Sequence, residues 1–89
     1  MSEKYILDRE VLIFAFRYSL GRVSVAPISV INSIKDNIGG ISNSDIEMFI
    51  REIEEFLESI KNLDFYEDFD VEHWVDLKKY LKNELKYRI

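Results

Sequence analysis

The chain predicts an all-α protein, a compact bundle of about four helices in one domain. Three observations lead there. Its 89 residues contain one proline and three glycines, so few positions force the chain out of helix. Isoleucines, leucines and aromatics recur at three- and four-residue spacing through most of the length. The breakers that do occur, Gly21, Pro27, Gly39 and Gly40, fall between the periodic stretches.

The first helix is expected over Arg9–Leu20. Asp8 suits the N-cap, Leu7 and Leu12 could close a hydrophobic staple, and Gly21 could stop the helix. The run Val11-Leu12-Ile13-Phe14-Ala15-Phe16 is apolar on every side. A buried strand would fit that run, but the length and the end signals favour a central, nearly enclosed helix. The second helix is expected over Pro27–Ile38, with Pro27 in the first turn and Ile28, Ile31, Ile34 and Ile38 facing inward. Gly39-Gly40 would end it.

The third helix, Asp45–Asn62, has the clearest pattern. Ser44-Asp45-Ile46-Glu47 reads as a capping box. Ile46, Phe49, Ile50, Ile53, Phe56, Leu57 and Ile60 mark one face; Glu47, Arg51, Glu54, Glu55 and Glu58 mark the other. A loop of alternating aromatics and acids follows, and Asp70 would cap a fourth helix that turns Trp74, Leu77, Leu81 and Leu85 inward. Short connections favour antiparallel neighbours.

Charge is unevenly spread. Residues 42–76 hold twelve carboxylates against Arg51 and Lys61, and residues 77–89 hold five cations against Glu84. Residues 1–41 are nearly balanced, five cations to four anions, and the whole chain carries −5. Such a balance disfavours nucleic acid as a partner and suits a protein with a basic surface. The apolar share, 47%, is high for so short a chain and raises the prospect of a homodimer or a partner groove. No stretch is apolar enough to span a membrane, and the N-terminus lacks a signal-peptide core, so a cytoplasmic location is expected.

Four groups are candidate sites. On the third helix, Glu47, Glu54, Glu55 and Glu58 could imitate the phosphates of a nucleic-acid strand, since Glu54 and Glu58 rise about 6 Å apart; an ordinary solvated face would look the same. Arg17, Tyr18 and Arg22 could line a contact surface. Alternatively Arg17, with no acid at a suitable offset on its own helix, forms an internal ion pair with the acidic half. The loop residues Asp64, Phe65, Tyr66, Glu67 and Asp68 could anchor a partner or simply close the end of the bundle. Last, Lys78, Lys82 and Lys86, joined by Lys79 and Arg88, could grip phosphate or answer the acidic face, within one chain or across a dimer.

Catalytic chemistry has little footing. There is no cysteine, a single histidine (His73, expected to be exposed) and no phosphate-binding glycine loop, so no enzymatic activity and no cofactor are expected. Asp68, Asp70 and Glu72 alternate like the start of a calcium loop. The required glycine is missing, though, and Lys79 stands where the closing glutamate belongs, so no metal is expected.

The stretch Val11–Arg22, with its core Phe16-Arg17-Tyr18-Ser19-Leu20-Gly21-Arg22, resembles a motif of small uncharacterised proteins encoded by bacteriophages and other mobile elements of Gram-positive bacteria. The segment around His73-Trp74 and the Leu77-to-Leu81 stretch add to that likeness. The resemblance implies an accessory protein acting on host machinery. The expected function is therefore inhibition of a host nucleic-acid-processing or antiviral defence enzyme by direct binding. A DNA- or RNA-contacting regulator using Arg17, Arg22 and the C-terminal lysines, or a structural homo-oligomer, are the alternatives.

Overall fold

Helix α1 spans Arg9–Ser19, α2 Ile28–Asp36, α3 Asn43–Ile60 and α4 Val71–Arg88, with a short 3-10 turn at Ile38–Gly40. The structure, a computed structural model, describes residues 8–20, 28–62 and 71–88. Among these there is no strand, and the architecture is an all-α bundle in which α3 packs along α4 and α1 along α2.

Asp8 caps α1 as its sequence suggests, its carboxylate accepting from the Glu10 N–H at 3.4 Å. The helix closes with the Leu20 N–H on the Phe16 carbonyl at 3.0 Å, Leu20 itself being extended. Leu7, Gly21 and Pro27 lie outside the described residues. The expected enclosure of α1 does not hold. Leu12, Phe16 and Ser19 are buried, but Val11, Phe14 and Tyr18 are 51%, 69% and 48% exposed. Among the described residues only one side of the helix meets the bundle, where α2, α3 and Trp74 of α4 pack against it.

The second helix is shorter than expected. It stops at Asp36, where the Asn37 side-chain amide donates to the Ser33 carbonyl at 2.8 Å and diverts the chain into the 3-10 turn. Ile31 and Ile34 are buried, whereas Ile28, expected inside, is 45% exposed. Gly39 and Gly40 belong to the 3-10 turn rather than following the helix directly.

In α3 the cap is Ser42, not Ser44. The Ser42 hydroxyl accepts from the Asp45 N–H at 3.1 Å and its carbonyl from the Ile46 N–H at 3.0 Å, which closes the first turn two residues early. Beyond that the expected division holds in outline: Ile46, Phe49, Ile50, Ile53 and Ile60 are buried, Phe56 and Leu57 are half-buried at the margin, and Glu47, Arg51, Glu54, Glu55 and Glu58 are exposed. Along α4, Trp74, Leu77 and Leu81 are buried, Leu85 packs at the margin and His73 is exposed. Asp70 lies outside the described residues.

The centre of the core is aromatic. Phe16 lies 4.6 Å from Phe49 and 5.7 Å from Trp74, centroid to centroid, the second pair edge to face. All three rings are at most 1% exposed, so α1, α3 and α4 converge on one point.

Candidate interaction surface

Residues three or four apart share a helix face, and α1 carries two apolar stripes by that rule. Leu12, Phe16 and Ser19 form the inner one. Val11, Phe14 and Tyr18 form the outer one, where the Phe14 and Tyr18 rings stack with centroids 6.1 Å apart. A ring left 69% exposed keeps most of its apolar area in water, an arrangement characteristic of contact surfaces when neighbours extend it.

Beside this stripe runs a groove of about 450 Å³ between α1 and α3, lined by Arg9, Glu10, Ile13, Phe14, Arg17, Asp45 and Met48. Arg9, Asp45 and Arg17 are fixed in ion pairs, whereas Glu10 has none among the described residues. Arg9 reaches Asp45 with two bonds, Nε to Oδ2 at 2.6 Å and Nη2 to Oδ1 at 2.9 Å. The guanidinium holds the Asp45 carboxyl below its ordinary range, against the opposing effect of burial, and the Ser42 hydroxyl adds to the lowering. Arg17 donates Nε and Nη2 to Glu52 at 3.0 and 2.6 Å, and the carboxylate raises its pKa in turn. The internal ion pair expected of Arg17 is therefore present, although the side chain is 55% exposed rather than enclosed. With Arg9, Asp45 and Arg17 held in ion pairs, the groove offers apolar walls and fixed polar rims.

The acidic face of α3 is not the uninterrupted array the sequence suggests. Glu54 accepts Lys82 at 3.2 Å and Lys78 at 3.8 Å, and Glu58 accepts Lys61 at 2.9 Å. The C-terminal lysines thus answer the acidic face within one chain. Glu47 and Glu55 make no ion pair among the described residues, and Arg51 stands between them along the helix. Lys79, Lys82, Asn83 and Lys86 line a shallow depression on α4, with Lys82 shared with Glu54. Arg22 and the loop residues Asp64, Phe65, Tyr66, Glu67 and Asp68 lie outside the described residues.

Sequence reasoning misplaced or passed over several residues that the structure makes prominent, among them Arg88, grouped there with the C-terminal lysines as a cation for phosphate or the acidic face. Arg88 donates to the carbonyls of Ile38 and Ile41 at 2.6 and 2.8 Å, to Asn43 Oδ1 at 2.8 Å and to Glu84 at 2.9 Å. It ties the end of α4 to the 3-10 turn and the start of α3. Arg9, Asp45 and Glu52 were also missed, as was the outer stripe led by Phe14. Only the stripe had a local signal, the spacing of Val11, Phe14 and Tyr18 opposite a second apolar stripe.

Among the described residues no group of three or more potential ligands could hold a metal ion, and no helix is long and apolar enough to cross a membrane. Comparison with protein-family models, curated proteins and solved structures returns no match.

Proposed function

We propose that this protein is a non-enzymatic binding module that works by protein–protein contact through the outer face of α1. The observation that carries this reading is Phe14, 69% exposed and flanked on one stripe by Val11 and Tyr18. Large aromatic side chains at a solvent-facing position cost solubility and contribute nothing to the core, whereas they are enriched where proteins meet. The groove beside Phe14 adds concave apolar surface rimmed by Arg9, Glu10 and Arg17.

In this reading the protein acts on a host protein, and the contact inhibits a nucleic-acid-processing or antiviral defence enzyme. The resemblance of the Phe16–Arg22 stretch to phage and mobile-element proteins supports that setting. Glu47 and Glu55, which make no ion pair among the described residues, support a partner with basic surface. A regulator gripping nucleic acid is the weaker reading, because Lys78 and Lys82 are held by Glu54 and the whole chain carries −5.

The test is affinity capture from a Gram-positive host lysate with the wild-type chain and with Phe14→Glu, each held to the same helical content. A host enzyme retained by the wild type, lost from the variant and inhibited when the two purified proteins are mixed is the expected result. Equal retention by both would remove α1 from the contact.

A further inference from the structure

The side of α1 that the bundle leaves open has an occupant that can be named. We infer that it is a second copy of this chain, docked through its own α1 in antiparallel, two-fold arrangement. The inference rests on the reading of the outer face of α1 as a contact surface: the second copy covers that face reversibly in the free protein and gives it up to the host protein.

The first argument is the character of the helix. A helix that is apolar on both sides is ordinarily enclosed. Here the inner stripe of Leu12 and Phe16 is buried, at 4% and 0% exposure, while Val11, Phe14 and Tyr18 on the other side remain at about half exposure or more. The sequence of α1 is that of an enclosed helix, and the described residues of one chain supply only half of the enclosure.

The second argument is charge. A two-fold contact presents the same patch twice, so the patch must complement itself. Glu10 and Arg17 lie on the flank of α1 that borders the groove, seven residues apart, two turns of helix. When two α1 helices run antiparallel with Phe14 near the axis, that flank of one meets that flank of the other. Glu10 then reaches Arg17 of the partner subunit, and Arg17 reaches Glu10 of the partner subunit. Both groups have capacity for this. The Glu10 carboxylate has no ion-pair partner among the described residues, and Arg17 spends Nε and Nη2 on Glu52 but donates Nη1 to none of them. The apolar register agrees: Val11 falls opposite Tyr18 of the partner subunit, and the two Phe14 rings meet at the centre. A parallel pairing would set the Glu10–Arg17 flank of one helix against the Val11–Tyr18 flank of the other, which gives neither charge a partner.

The stripe is one helix of eleven residues, about 16 Å long, so the contact belongs to the small, reversible class of interfaces. Sedimentation equilibrium of the full chain over about 10 µM to 1 mM should show the mass rising from 10.6 kDa toward twice that value. Phe14→Glu should hold it at the monomer mass with unchanged helical circular dichroism. Glu10→Arg should weaken association about two- to fivefold. Because the chain has no cysteine, Val11→Cys and Tyr18→Cys give an unambiguous readout of direction. Mixed and oxidised, the two variants should form the disulfide between unlike chains in preference to that between like chains.

A monomer throughout the range, a dimer that survives Phe14→Glu, or cross-links between like positions only would each overturn the inference. A monomer that nonetheless holds a host protein through Phe14 would overturn it while leaving the proposed function standing.

Discussion

Arg9 and Asp45 are joined by two hydrogen bonds of 2.6 and 2.9 Å, which fasten the first turn of α1 to the first turn of α3 across 36 residues of sequence. The Asp45 side chain is only 11% exposed, and Arg9 holds its pKa below the ordinary value. A carboxyl whose folded pKa is depressed contributes stability above its unfolded pKa, about 3.9, and loses it as pH falls through the lower folded value. Chemical denaturation at pH 7 and at successive steps below pH 4 should therefore show stability falling in acid. Asp45→Asn should be less stable at pH 7 and should flatten that fall; an unchanged pH profile in the variant would show that the pair does not contribute to it.

Phe14 and Phe16 provide a matched contrast two residues apart. Phe16 is fully buried against Phe49 and Trp74, so Phe16→Ala should cost about 3–5 kcal/mol, a large share of the stability of a domain this size. Phe14→Ala, at an exposed position, should shift stability by no more than about 0.5 kcal/mol. Urea denaturation of both variants measures the difference.

Arg88 supports the far end of the bundle through four acceptors. Arg88→Ala leaves the Ile38 and Ile41 carbonyls without this donor and should cost about 1–3 kcal/mol. Arg88→Lys should recover only part of the loss, because an ammonium cannot address the same acceptors with a planar fork. Hydrogen exchange should locate the loosening at the Ile38–Gly40 turn.

Glu54 links α3 to α4 through Lys78 and Lys82, at side-chain exposures of 45%, 26% and 54%. Partly solvated pairs of this kind contribute about 0.2–1 kcal/mol each, and salt screens them. Glu54→Lys should lower the thermal midpoint at low ionic strength, and the gap to wild type should narrow in 1 M salt. The double variant Glu47→Lys, Glu55→Lys should leave the midpoint nearly unchanged, which makes it the sounder probe of a basic partner.

Periodicity along α3 and α4 was legible because it is local: each apolar residue announces its face through neighbours three and four positions away. The Asp8 cap was legible for the same reason. Ser42 and Ser44 are both competent caps by composition, and the choice between them depends on where the 3-10 turn delivers the chain, which no short window contains. The pairs Arg9–Asp45 and Arg17–Glu52, and the reach of Arg88 to Ile38, join positions 35 to 50 residues apart. They are set by the register of one helix against another. The openness of α1 escaped detection because an apolar run reports that a helix is suited to being covered, and not how much of it the bundle covers.

Trp74 is the sole tryptophan, 1% exposed, with the Phe16 ring edge to face against it at the meeting point of three helices. Its indole is thus a native optical gauge of the centre of the molecule. Emission from that one fluorophore should move to longer wavelength once α1 or α3 departs and water arrives, so every variant discussed above can be followed without attaching a dye.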